Sequence, residues 1–247
     1  MQPGASVAMF FGASFFDVMA LGAFFVAIIA YSRHADHSGD RLLNARMREI
    51  RARWLQRFLA REDRVIDSIL TGHSINSIAL FCSATLLIVV ALLGVLTNTD
   101  LAYQLATRSS FVVHTTVELF QIKLIGLVCV FIYGFYRFTW ALLQYNYFLA
   151  LLGSAPLKAQ LTPPMVELIG NQMSIVLNSA VTSFHSGFRT YYYALAWVGW
   201  FFHPLFFIAA TALVTFVLVF RQIASPSAGA IKGYAALLHE IERSGKH

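Results

Sequence analysis

Residues 78–96, IALFCSATLLIVVALLGVL, run without a single charged side chain. A helix rises about 1.5 Å per residue, so a stretch of this length reaches across the roughly 30 Å hydrocarbon core of a bilayer. Backbone polar groups inside hydrocarbon must be satisfied within the segment, and a helix does that for a single stretch of chain. Residues 7–31, 122–142 and 192–220 match it in length and apolarity. The expected fold is all-α: an integral membrane bundle of four transmembrane helices, with an Arg-rich amphipathic cytoplasmic helix and a second amphipathic helix before the last span.

Composition supports this reading. Hydrophobic residues make up 58% of the 247 positions and charged residues 12%, against about 25% charged in soluble domains. Mean hydropathy is +0.65. The net charge of +6 carries no nucleic-acid signal, because half of the 18 basic residues fall between residues 33 and 64, beside membrane spans. Anionic lipid headgroups are the simpler partner. Cys82 and Cys129 each lie within an apolar span and form no metal-type or redox-type pair. The N-terminus lacks a basic n-region, and the apolar stretch after it is too long for a signal-peptide core, so the first span is expected to remain.

The loop over residues 32–73 carries nine Arg and no Lys, and the loop over 97–117 carries only Arg108. The positive-inside rule therefore places the first loop in the cytoplasm of a multi-pass protein of the cell inner (plasma) membrane. Four spans then leave both termini outside, while Arg221, Lys232, Arg243 and Lys246 in the tail argue for the inside. A fifth embedded piece would reconcile the two, and residues 165–188 are the candidate. The chain divides by sequence into a membrane domain, residues 1–223, and a tail, 224–247, expected to be a short surface helix or a frayed end.

Between residues 40 and 70, Leu43, Met47, Ile50, Trp54 and Phe58 recur at helical spacing. Arg46, Arg53, Arg57, Arg61 and Arg64 fill the opposite side, which reads as a basic lipid-facing helix. Docking a partner or extending the second span fits the same pattern. After GSAP (153–156) and Pro163–Pro164, a further helix carries a polar line at Asn171, Ser174, Asn178, Thr182, His185 and Arg189.

Ionisable groups within a span cost about 2.5–3.5 kcal/mol even on insertion scales, so they normally find partners. Asp17 in the first span and Lys123 in the third are expected to form an intramembrane polar pair. Its simplest use is fixing helix packing, and a proton or ion relay is the sharper alternative. On the third span, Tyr133, Arg137, Trp140, Gln144 and Tyr147 share one face, with Asn146 beside them. That face is expected to meet Arg189, Tyr191 and Tyr192 and to hold a lipid headgroup or a quinone-like ligand; ordinary interfacial anchoring explains the same residues. His203 precedes Pro204, whose missing N–H leaves the Trp200 carbonyl without a helical donor, so a kink with local polar compensation is expected. His34, Asp36, His37 and Asp40 are of metal-ligand type, but a solvated turn accounts for them equally well. No P-loop, dinucleotide-binding glycine pattern, HExxH, CxxC or nucleophile elbow is present.

The stretches DVMALGAFFVAIIAY (17–31), RWLQRFLAREDRVID (53–67), FTWALLQYNY (138–147), GSAP (153–156) and FHSGFRTYYYALAWVGWFFHP (184–204), with residues 81–93, together resemble the family named domain of unknown function 599. The resemblance implies a polytopic membrane protein with matching polar positions at Asp17, Arg64, Asp67, Lys123, Gln144, Asn146, Arg189 and Tyr192, and it implies no activity. Leu143, His185 and the tail beyond Gln222 depart from the family pattern.

These readings lead to an accessory or scaffolding subunit of a larger membrane complex, contacting lipids and partner helices and not itself an enzyme. No cofactor is expected; bound phospholipid and other membrane subunits are. A small-solute or proton-coupled transporter using Asp17, Lys123 and Arg137 is the alternative, and a quinone- or haem-binding redox anchor a weaker one.

Overall fold

The computed structural model describes residues 13–37, 43–108 and 115–244, and every element in them is helical. The helices are α1 (Phe15–His37), α2 (Leu43–Ala60), α3 (Val65–Thr97), α4 (Thr99–Thr107), α5 (Val117–Gly153), α6 (Pro163–Phe202), α7 (Pro204–Ile223) and α8 (Pro226–Ser244), with a 3₁₀ turn at Lys158–Gln160. Four stretches are long and apolar enough to cross a membrane: Phe15–Arg33, Val65–Thr97, Val117–Gly153 and Pro204–Ile241. The last contains α7 and, past a break at residues 224–225, α8 as far as Ile241. Large apolar side chains such as Leu87 and Val90 on α3, and Leu213 and Phe216 on α7, are exposed. Water would disfavour such a surface, whereas acyl chains match it.

The chain forms two compact units. The first comprises residues 1–33, 82–136 and 186–217, and the second 34–81, 137–185 and 218–247. In the first unit the core is aromatic: Phe24 meets the rings of Tyr193, Trp197 and Phe207 at centroid distances of 5.7, 5.2 and 5.1 Å. Glycine permits this closeness. A Cβ on Gly126 of α5 would lie 2.1 Å from the Trp197 ring, so only a hydrogen fits at that point of the α5–α6 contact.

The expected single span over residues 192–220 is instead two helices meeting at His203. Rings of Trp200 and Phe207 stack at 5.3 Å, and the hydroxyls of Tyr193 and Thr215 approach to 3.4 Å. In one straight helix, positions 193 and 215 would stand about 33 Å apart. The end of α6 and α7 therefore form an antiparallel hairpin, a much larger change of direction than a kink. Pro204 starts α7 where its lack of an N–H costs nothing, and His203 Nδ1 accepts the N–H of Leu205, one of the donors left open at the new helix start.

In the second unit, α2 buries Leu55, Phe58 and Leu59. The N-terminal part of α6 packs closely on it: a Cβ on Gly170 would lie 3.2 Å from the Gln56 backbone nitrogen. Arg51 donates to Asn178 at 2.6 Å, and Gln56 to Asn171 at 3.4 Å. Two members of the polar line expected on α6, Asn171 and Asn178, thus meet α2. Within the described residues the tail forms the helix α8, which packs along α2 and buries Ala235 and Leu238.

Candidate functional site

Asp17 enters the first unit as part of a reciprocal helix cap. Its N–H donates to Ser14 Oγ at 3.2 Å, and its Oδ2 accepts from the Ser14 N–H at 2.9 Å and hydroxyl at 2.7 Å. The other oxygen, Oδ1, accepts the Trp200 indole N–H at 2.7 Å and lies 3.6 Å from Lys123 Nζ. Lys123 donates to the Trp200 carbonyl at 2.9 Å, the acceptor that Pro204 deprives of its helical donor. Its ammonium also lies 5.2 Å from the Trp200 ring centre, and its own carbonyl accepts the Trp197 indole at 2.8 Å. Asp17 and Lys123 are 5% and 2% exposed. The structure thus joins α1, α5 and the α6–α7 turn through one buried node in which each charge has several partners. The sequence points to the Trp200 carbonyl but to neither the Trp197 nor the Trp200 indole, although a buried indole needs an acceptor and a buried Asp supplies one.

A second feature of the same unit is a cleft of about 380 Å³ between α1, α5 and α6, within the size range of small-ligand pockets. Phe24, Tyr31, Cys129, Tyr133 and Trp197 line it, with Ser186 and Arg189 at one end. Arg189 lies with its guanidinium carbon 5.5 Å from the Tyr31 ring centre. Among the described residues it has no hydrogen-bond acceptor and no carboxylate partner. Tyr133 and Arg189, expected to share a polar face, line this cleft together.

The other members of that face are dispersed. Tyr191 exchanges a 2.8 Å hydrogen bond with Thr85, and Tyr192 is half-buried. Arg137 reaches Ser183 at 3.4 Å, while its Nε and the Oε1 of buried Gln144 have no partner among the described residues. Trp140 and Asn146 are exposed.

The arginines of the second unit divide by position. Arg53 is buried, 3.0 Å from Glu49 and 2.8 Å from His239, so it ties α2 to α8. Arg64 caps the 153–156 turn by donating to the carbonyls of Pro156 at 2.8 Å and Ala155 at 3.2 Å. Arg61 pairs at 3.3 Å with Asp67, a buried carboxylate that also accepts the Trp54 indole at 2.6 Å. Arg46 makes a 3.7 Å pair with Glu49, and Arg57 is exposed. Burial pulls the Arg51 guanidinium below its ordinary value, Tyr145 opposing and Arg48 adding to the shift. Of the arginines expected on the basic helix, Arg53 on α2 and Arg64 past its end thus make protein contacts, while Arg57 is exposed.

Among the described residues no group of three His, Cys, Asp or Glu side chains converges as a metal site. Asp40 and the side chains of His34, Asp36 and His37 lie outside the described residues.

No match is found among curated proteins or among solved structures. A family described as "Protein of unknown function, DUF599" matches residues 18–227, a range that includes Lys123, Arg189, Trp200 and the hairpin. With most of its length covered by that match, the chain, whose own helices include four stretches long and apolar enough to cross a membrane, belongs to the DUF599 family.

Proposed function

We propose that this protein is an accessory or scaffolding subunit of a larger complex in the cell inner (plasma) membrane, contacting lipids and partner helices and performing no chemistry of its own. The observation that carries the reading is the set of mutual hydrogen bonds at Asp17 and Lys123, two residues that together line a pocket of about 460 Å³ beside His203. A carrier or proton relay needs ionisable groups that exchange partners during a cycle. Here both carboxylate oxygens and the ammonium are committed to Ser14, Trp200 and each other. Removing any one leaves a buried polar group unsatisfied.

The proposed topology has five crossings, with residues 186–202 of α6 added to the four apolar stretches. Packing of α8 on α2 supports a topology with the first loop and the tail on one side of the membrane, and so with an even number of crossings between them. The hairpin supports a pass at the end of α6 in place of the candidate fifth piece at 165–188. The Arg count of the first loop makes that side the cytoplasm.

Mass spectrometry of the tagged protein, expressed at its native locus and extracted in a mild detergent, tests the function. Partners at fixed stoichiometry are the expected outcome. Recovery alone, together with solute flux that is lost in a well-folded Asp17→Asn variant, would replace this reading by the transporter. Single cysteines introduced at Arg57 and Ser227 in a chain lacking Cys82 and Cys129 test the topology: both should react with an impermeant maleimide from the same side.

A further inference from the structure

We propose that the cleft between α1, α5 and α6 binds one anionic phospholipid, its phosphate held by Arg189 and the first part of an acyl chain laid along Phe24 and Trp197. The proposal rests on the lipid-contacting reading above and names the ligand and the residue that selects it.

The walls of the cleft carry a matched gradient of polarity. Arg189 faces Tyr31 at 5.5 Å, and Trp197 faces Phe24 at 5.2 Å. These pairs are successive rungs of two antiparallel helices. On α1, Tyr31 to Phe24 is about 10 Å along the axis, and on α6, Arg189 to Trp197 is about 12 Å. The cleft is thus polar at the end nearer the first loop, where Ser32 and Ser186 also stand, and apolar at depth. A phospholipid of the leaflet on that side has the same order of groups. Phe25 and Tyr133, on the cleft wall, are each about half exposed, at 51% and 52%, so the site is open sideways, the direction from which a lipid enters.

Charge decides the headgroup. Arginine cannot discharge itself by losing a proton, and a guanidinium at membrane depth without an acceptor is costly. Lys123, on α5 in the same unit, has a carboxylate and a carbonyl as partners; Arg189 has an aromatic face and none of these among the described residues. Its free fork fits two phosphate oxygens. A net-negative lipid offsets this charge, whereas phosphatidylcholine brings its own cation and a quinone brings no charge at all.

The test uses the purified full chain in nanodiscs made of equal parts phosphatidylglycerol and phosphatidylcholine, followed by native mass spectrometry. One phosphatidylglycerol per chain should be retained, favoured over phosphatidylcholine by about tenfold, equivalent to about 1.4 kcal/mol. Arg189→Gln should abolish the preference, with a melting temperature unchanged in lipid-free detergent. Alkylation of Cys129 by N-ethylmaleimide is an independent readout on the unmutated chain. It should be slower in phosphatidylglycerol than in phosphatidylcholine nanodiscs, while buried Cys82 stays slow in both. Equal retention of the two lipids, undiminished preference in a folded Arg189→Gln variant, or equal Cys129 rates would each overturn the proposal. None of these outcomes bears on whether protein partners co-purify, so the subunit reading stands or falls separately.

Discussion

Lys123 and Arg189 place two cations on the helices of one unit, and their surroundings differ in kind. Around Lys123 the protein provides a carboxylate, a carbonyl and an indole, and the charge is almost wholly buried. Around Arg189 it provides apolar walls, a tyrosine ring and an opening. A charge compensated from within holds helices together, and removing it leaves its partners stranded. A charge left for an outside partner contributes little to the fold of the isolated chain and much to what the chain binds.

The largest expected effect is at the first site. Lys123→Met strands the Asp17 carboxylate and the Trp200 carbonyl, and the loss of a partner from a buried pair costs about 3–5 kcal/mol. A fall in melting temperature and in yield would register it. Adding Asp17→Asn should recover part of the loss, because the uncompensated charge disappears while an oxygen remains for the Trp200 indole; strictly additive losses would break the account of the node as one coupled unit. Gly126→Ala comes next, since its new Cβ meets Trp197 at 2.1 Å and the α5–α6 contact must open, at about 1–3 kcal/mol. That substitution also sharpens the comparison, because Trp197 both donates to the Lys123 carbonyl and lines the cleft, so lipid retention should fall along with stability. In the second unit, Trp54→Phe removes a donor from buried Asp67 and should cost about 1–3 kcal/mol, read by the same melting experiment. The smallest stability effect belongs to Arg189→Gln, within about 0.5 kcal/mol in lipid-free detergent. A loss as large as that of Lys123→Met would mean that Arg189 is structural, and the contrast would collapse.

The second unit shows how far a one-dimensional pattern carries. The apolar spacing from Leu43 to Phe58 correctly marks a helix, and the arginines mark a strongly basic one. What the spacing does not contain is the partner. Arg53 faces His239, and Arg64 faces the carbonyls of residues 155–156, positions about 90 or more residues away in the chain. Helical periodicity reports which side chains share a face and carries no information about what that face meets. The tail shows the same gap: its weak amphipathic pattern, Ile231 to Ile241, is compatible with a free end, and only the packing of α8 on α2 decides that Leu238 is buried, with Ala235, while Tyr234 and Ile241 stay exposed.

By itself the sequence determined that the chain lives in a membrane, where the first three apolar stretches lie, and that Asp17 and Lys123 need partners, because each follows from length, transfer cost and charge. It also contained the vacancy at the Trp200 carbonyl, since the missing N–H of Pro204 is a covalent fact. Tertiary structure alone decided that Lys123 fills that vacancy, that the chain reverses at His203 and does not merely bend, and that Arg189 is left facing a cleft. Proline removes one hydrogen bond and leaves the direction of the next helix open; the stacked rings of Trp200 and Phe207, brought together by packing over the whole unit, choose it.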